Sequence, residues 1–494
     1  MAINRKLCCL GVTLCVGLVL VIIGVVSIPV SKNIIDDQIK EQINLNNKDT
    51  LKNWDHNPTP IYFQIWVWNI TNPVEVKQGL KPSLQQSGPY TYSENRQKVD
   101  IKFHDNNTVT YREDKYYSFV REKSVGPEST VFTTVNIPFM LIANVLQNEF
   151  SVIKDLAQVF LDWSSEEVLI NVSVGDMVWG YDEPLINKTV TILNKFGLKL
   201  NISDKFGIFA GTNGTDDGVY NIKTGADDVS QFGIIKNWNY ANSLSFWTSD
   251  TCNMLNGTDG TIFHPFTKKS DTLYVFSSDL CRSIYFTFLK DYSQKDIPVY
   301  RFTTPPEVFM NVKDNPANLG FCTPADNCLD SGLLNVENCH YGAPIIFSQP
   351  HFLNAAPNIL HGVTGLNPSL EEHGTFIDVE PNTGAAFYAA KKLQVNILLE
   401  KVDGFKQTLN FNNTVLPVIW LNESSMITDS LADTFKDELG RPVSMIHIGI
   451  WVAIGLGIAL AVLAFIVIVG RKILDKRNIE LQEITQDKAH LVTT

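Results

Sequence analysis

Residues 7–30 read LCCLGVTLCVGLVLVIIGVVSIPV, 24 residues without one charged side chain. About 20 apolar residues suffice to cross a hydrocarbon core as a helix, the conformation in which every backbone N–H and C=O finds a partner within the segment. The run is longer than the roughly 7–15-residue apolar core of a secretory leader, and no small-residue cleavage site follows it, so it reads as an uncleaved anchor. A second run, residues 446–470 (IHIGIWVAIGLGIALAVLAFIVIVG), has His447 as its only ionisable group. A buried core helix is the competing reading, and so long an uncharged run favours a second span.

The flanking charges orient the chain. Arg5 and Lys6 precede the first span; Arg471, Lys472, Lys476 and Arg477 follow the second. Positive residues stay on the cytosolic side, so residues 1–6 and 471–494 are expected in the cytosol and residues 31–445 outside it. The formal net charge is −12, and the short tails carry +2 and +1, which leaves −15 on the outer body. So acidic a body excludes nucleic acid as a partner and general attraction to anionic membranes. Asn-x-Ser/Thr sequons occur at Asn69, Asn106, Asn171, Asn187, Asn201, Asn213, Asn256, Asn412 and Asn422. All lie between the spans, consistent with a glycosylated outer domain, and they are expected to mark surface positions.

Within that domain the hydrophobic period changes. Ile35, Ile39, Ile43 and Leu51 follow the first span near helical spacing and predict a juxtamembrane helix. At residue 61 the period becomes two: IYFQIWVWNIT reads as a buried strand, and residues 108–120, 279–292, 374–384 and 393–400 as further strands. Strands recurring between turn signals predict a large, mainly antiparallel sheet or barrel. Residues 136–181 stand apart as a helical insert, with Leu156, Val159, Phe160 and Trp163 at i, i+3, i+4 and i+7. Ser164 with Glu167 has the form of a capping box for a following helix. The stripe either faces a partner or packs into its own bundle. Residues 139–170 carry five acidic groups against Lys154 and no histidine, which disfavours anionic lipid there and a histidine-based acid switch.

No catalytic signature emerges. Gly-x-Ser-x-Gly, His-Glu-x-x-His and the phosphate-binding Gly-rich loop are all missing from the sequence. NGTDGT (256–261) reads as a glycosylated turn rather than a calcium loop, and His264 and His351 as single structural histidines beside proline. No cofactor and no enzyme activity are expected.

The cysteines take their meaning from the compartment. Cys8 and Cys9 sit at the cytosolic edge of the first span, as candidates for reversible acylation or as small apolar filler. Outside lie Cys252, Cys281, Cys322, Cys328 and Cys339, the last followed by His340. Zinc needs thiolates kept reduced, which an oxidising secretory route disfavours, so disulfides are expected. Five is odd, so one thiol is left over or pairs between two copies as a homodimer.

Several longer stretches carry a family likeness: SDTCNMLNGTDGTIFHPF (249–266), SSDLCRSIYFTF (277–288), GAPIIFSQPHFLNA (342–355), GTFIDVEPNTG (374–384) and LPVIWLNES (416–424). With two terminal spans around a glycosylated β-rich body, the chain resembles the class B scavenger receptor family from end to end. Cys322 followed by Cys328, with Pro324 between them, is similar to the family's lysosome integral membrane protein branch. The resemblance implies an antiparallel β-barrel capped by a helical bundle and traversed by an apolar tunnel. It implies pairing of Cys281 with Cys339 and of Cys322 with Cys328, with Cys252 unpaired. Asp487 with Leu491 and Val492 approximates the acidic-dileucine signal that clathrin adaptors read, valine replacing the usual last residue. The implied function is that of a lysosomal or late endosomal membrane receptor and transporter, binding a lysosomal hydrolase such as glucocerebrosidase and passing sterol or other lipid. A plasma-membrane scavenger receptor for lipoprotein or lipid uptake is the alternative.

Overall fold

Ile61–Ile70 is the strand around which the body is built: its side chains alternate between buried and half-buried, and both of its edges are paired. The computed structural model describes residues 2–147, 154–155, 158–159, 161, 166–182, 205–324, 327–340 and 343–492, with side chains between residues 9 and 485. Two units emerge, one of Met1–Glu41 with Asp429–Thr494 and one of Gln42–Thr428.

The first unit is helical. Helices Ala2–Gln42 and Arg441–Val492 are long and apolar enough to cross a membrane. Val19, Ile22, Trp451 and Ile466 stand exposed on them, as on helices whose solvent is hydrocarbon. The predicted juxtamembrane helix is partly a continuation of the first span, and a separate helix, Lys48–Asp55, follows in the other unit. Asn47 caps it, its side-chain oxygen accepting from the N–H groups of Asp49 and Thr50.

The second unit is dominated by one antiparallel sheet of 13 strands. In chain order the strands are β1 (Ile61–Ile70), β2 (Leu84–His104), β3 (Thr108–Phe119), β4 (Val131–Val135), β5 (Leu169–Ser173), β6 (Tyr181–Asp182), β7 (Lys205–Phe206), β8 (Tyr220–Lys223) and β9 (Ile235–Trp238). They continue with β10 (Leu273–Ser277), β11 (Arg282–Gln294), β12 (Ile297–Thr303), β13 (Leu333–Asn335), β14 (Ile345–Ser348), β15 (Phe376–Val379), β16 (Ala386–Leu399) and β17 (Thr414–Met426). The main path runs β10-β11-β12-β15-β16-β17-β1-β2-β3-β8-β9, with β13 and β14 branching from β16.

The strands expected from alternation are present as β1, β3, β11, β15 and β16. The sheet does not close into a barrel by strand pairing. Its two edges are joined through Gly257 and Thr258: Ile235 of β9 donates to Gly257 O, and Thr258 N donates to Tyr274 O of β10. Gly257 has φ +82°, and a Cβ there would collide with the Tyr274 carbonyl, so the close passage requires glycine.

Among its described residues the insert holds a strand as well as helix. Ile137–Leu146 is a helix, opened by the side-chain cap of Asn136 and buried along nearly its whole length. Glu167, however, precedes a strand, β5, which pairs with β4. The next helix begins only at Val174, and its cap is Ser173, whose hydroxyl accepts from Asp176 N. Ser164 lies outside the described residues, and Glu167 leads into a strand where the capping box expected a helix, because the β-branched Ile170 and Val172 find partners in β4.

Candidate functional site

Four features of the body bear on function: the described part of the insert, a buried ion network, a histidine pair and the disulfide region. Of the predicted partner stripe, Leu156, Phe160 and Trp163 lie outside the described residues. Val159 is 66% exposed, whereas Leu161, beside the stripe, is 2% exposed and belongs to the core. Residues remote in the chain meet the described part of the insert. Lys77 Nζ lies 2.8 Å from Glu167, and Gln158 Oε1 accepts from the backbone N–H of Lys406. The Lys154 stem packs over Gly404, where no Cβ intervenes. Helix Ile137–Leu146 is anchored to the sheet-bearing body by Asn144 Nδ2, which donates to Glu337 at 3.1 Å.

The network sits where strand alternation brings charges to one face. Glu94, Arg96 and Lys98 recur at every second position of β2, Glu113 and Lys115 lie on β3, Lys391 on β16 and Glu423 on β17. Arg96 Nε donates to Glu94 at 2.7 Å, its Nη1 reaches Glu113 at 3.4 Å, and its Nη2 contacts Glu423. Lys98 is 2.6 Å from Glu113, Lys115 is 3.2 Å from Asp217, and Lys391 pairs with Asp279 and Glu423.

Burial pushes the Glu113 carboxyl up, but Lys98 and Arg96 outweigh it and lower it to about 2. Glu423 is likewise lowered to about 2, burial being overcome by Lys391, Arg96 and Lys115. Glu94 goes the other way: burial raises it despite Arg96, and its Oε2 is buried without a hydrogen bond. Three pairs sharing Arg96 and Glu423 tie β2, β3, β16 and β17 together, and none of this was visible in a strand that reads as polar.

His351 is not an isolated histidine. Its ring stacks on His373 with centroids 4.0 Å apart, edge-on to Trp68 at 4.8 Å. Asn367 N–H donates to His351 Nδ1 at 2.9 Å, so Nε2 carries the hydrogen and donates to Gln86 Oε1 at 2.7 Å. Trp420 Nε1 donates to the same oxygen. Burial, then the neighbouring His373, lowers the His351 imidazole to about 3, which keeps it neutral in mild acid.

Cys281 is bonded to Cys339 and Cys322 to Cys328, closing loops of 58 and 6 residues. Loops of those lengths are worth ~4 and ~2 kcal/mol in the chain-entropy account. His340 lies beside the first pair, but both sulfurs are consumed by the bond, which removes the zinc reading. Cys252 is free and 5% exposed, packed beneath Gly320, where no second chain's sulfur can reach it without opening the fold. In the span, Cys9 is exposed; the side chains of Cys8, Asp487, Leu491 and Val492 lie outside the described ones.

Among the sequons, Asn106, Asn171, Asn213 and Asn412 are exposed, and Asn69, Asn256 and Asn422 are half-buried. Asn187 and Asn201 lie outside the described residues. Asn422 does not project freely: it faces Gln64 across the β1–β17 pair, donating to Gln64 Oε1 at 3.2 Å.

Two helices long and apolar enough to cross a membrane, together with a disulfide-bonded antiparallel body, are the build of a membrane-anchored protein. Residues 15–468 match the CD36 family, and the chain belongs to it. The chain is similar to Lysosome membrane protein 2 of Homo sapiens, 38% identical over 417 residues that cover 84% of this chain and 85% of that protein. The Mus musculus counterpart is 37% identical over the same length. Scavenger receptor class B member 1 of Sus scrofa is 35% identical over 457 residues, 92% of this chain and 87% of that protein. These relatives are named as a membrane protein and a receptor, not as enzymes.

Proposed function

We propose that the chain is a lysosomal membrane receptor and transport protein, with both termini in the cytosol and the sheet body in the lumen. The carrying observation is the Cys322–Cys328 loop around Pro324, the arrangement similar to the lysosomal branch. The identity to Lysosome membrane protein 2 supports the same reading. The exposed face around Val159 receives a lumenal hydrolase of the glucocerebrosidase kind, the body passes sterol or another lipid toward the membrane, and a clathrin adaptor reads Asp487, Leu491 and Val492. A cell-surface receptor for lipoprotein or lipid is the second reading, favoured by the likeness to Scavenger receptor class B member 1.

Steady-state imaging of the tagged full chain separates the two. Lysosomal residence that shifts to the surface in Leu491→Ala/Val492→Ala supports the first reading; surface residence of the unaltered chain overturns it. Mass spectrometry of lipid co-purified with the chain tests transport, and a body that carries none counts against it.

A further inference from the structure

Asn412, Asn413 and Thr414 form a glycosylation sequon at the entry to β17, and Asn412 and Thr414 both line a cavity. The cavity measures about 170 Å³. One water needs only ~10–15 Å³ and a drug-sized ligand ~300 Å³ or more, so the space suits a single small ring. Val76, Leu399 and Phe411, all buried, form its floor, and the exposed Leu80 and Lys81 stand at its mouth. Gly79 adds bare backbone to the wall: its φ is +88°, and a Cβ there would collide with the Asn410 carbonyl oxygen.

The Asn412 side chain is exposed and yet fixed at this mouth. Its Nδ2 donates to Gly79 O at 3.3 Å, and Asn410 Nδ2 donates to Lys77 O at 3.1 Å, so two bonds hold the segment to the turn that carries the opposite wall. An N-linked sugar replaces one of the two Nδ2 hydrogens and leaves the other for Gly79 O. The first sugar of such a glycan, N-acetylglucosamine, has a ring face of C–H groups and an acetamide methyl, with hydroxyls around its edge. An apolar floor rimmed by Lys81, Thr414 and backbone carbonyls meets both halves, whereas an anion would set its charge against Val76 and Leu399. A ligand tethered at the mouth is present at roughly millimolar effective concentration, so even a weak sugar pocket fills.

We propose that the first N-acetylglucosamine of a glycan on Asn412 packs into this cavity and joins the turn at residues 76–82 to the start of β17. The inference rests on the lumenal placement of the body and on neither reading of its destination.

The test treats the folded, detergent-solubilised full chain with peptide-N-glycosidase in heavy-oxygen water and follows conversion of each glycosylated Asn to labelled Asp by mass spectrometry. Release at Asn412 is expected to be at least ~10-fold slower than at the exposed Asn106 between β2 and β3, because the enzyme needs the first sugar out of the cavity. Leu80→Ala strips an exposed apolar side chain from the mouth and keeps the sequon; it is expected to speed release at Asn412 by ~3-fold or more. Thr414→Val removes the sequon with a side chain of the same shape and leaves the Asn412 bond to Gly79 in place. It is expected to lower the thermal midpoint, and Thr414→Ser, which keeps the sequon, to lower it far less. Release at the Asn106 rate overturns the packing and leaves the cavity to another occupant, and resistance that Leu80→Ala does not relieve overturns it equally. Asn412 bare while Asn106 carries sugar also overturns it. Sugar at none of the sequons would instead overturn the lumenal placement of the body, and the inference with it.

Discussion

Gly17 and Gly457 lie back to back in the helical unit: a Cβ on either would stand 2.7 Å from the carbonyl oxygen of the other. Gly24, two turns further along, meets the Ile454 side chain in the same way. In hydrocarbon no hydrophobic force drives two helices together, so association rests on close packing, which small residues permit.

Gly17→Leu and Gly457→Leu are each expected to separate the helices. Inserting a side chain into a packed contact costs about 1–3 kcal/mol. Single cysteines placed along each helix in a background without native span cysteines give the readout, as oxidative cross-linking between the two helices. The parent pair should cross-link and the leucine variants should not. Efficient cross-linking in both variants would place the contact elsewhere.

The ion network yields a prediction with opposite signs for two glutamates. Glu113→Gln leaves Lys98 and Arg96 short of a partner and should destabilise by about 3–5 kcal/mol at neutral pH. The Glu113 carboxyl is lowered to about 2 from an ordinary value of ~4.3. A depressed carboxylate contributes fully above the ordinary value and loses its contribution as pH falls toward the folded one, so the variant's deficit should persist at pH 5 and shrink only below about 4. Glu94, raised by burial, behaves inversely: its charge costs stability at neutral pH, and protonation relieves that cost as pH falls. Glu94→Gln should therefore be tolerated far better than Glu113→Gln at pH 7.5. Thermal unfolding of the full chain by tryptophan fluorescence checks both, and equal losses in the two variants would refute the assignment.

How much of this was legible depends on where the period survives. β1 was readable as a run of aromatic and β-branched side chains with aromatics at alternate positions, and β3 as a stretch rich in the same residue types. β2 was not, because its buried face carries Glu94, Arg96 and Lys98, so its alternation is of charge partners and not of hydrophobicity. The charge around the insert is, for a related reason, not contained in its own stretch alone. A sum along residues 139–170 cannot contain Lys77, which reaches Glu167 from 90 positions away. The cysteine pairs came from motif likeness, since spacing alone leaves several connectivities open. His351 and His373 are 22 positions apart in sequence and meet only because β16 and β17 bring Trp420 and Gln394 beneath the loop that carries them.

That histidine pair predicts a pH slope. His351 is lowered to about 3 from an ordinary value of ~6.5. A depressed imidazole binds its proton more readily in the unfolded chain, so its contribution is complete above ~6.5 and declines as pH falls toward the folded value. At pH 5 the loss amounts to ~2 kcal/mol. His351→Gln should lower the thermal midpoint at pH 7.5, by removing the bonds to Gln86 and the Asn367 N–H, and should flatten the difference between pH 7.5 and pH 5. A variant that keeps the parent's full pH dependence would place the titration elsewhere.

The insert yields the last prediction, because two apolar side chains two positions apart have opposite surroundings. Val159 stands 66% exposed beside Gln158, while Leu161 is buried in the core. If the face around Val159 receives the hydrolase, Val159→Asp should cut its capture from lysosomal extract by at least ~10-fold and leave the thermal midpoint unchanged, as for an anchor residue at the centre of an interface. Leu161→Asp should act on the fold instead, since an unpaired carboxylate in the core costs several kcal/mol, and the chain should unfold at lower temperature. Residues 139–170 contain no histidine, and Glu167 is paired with Lys77, so capture is expected to differ little between pH 7 and pH 5. Undiminished capture by Val159→Asp would move the docking face off the insert, and a strong rise or fall with pH would point to groups on the partner's side of the interface.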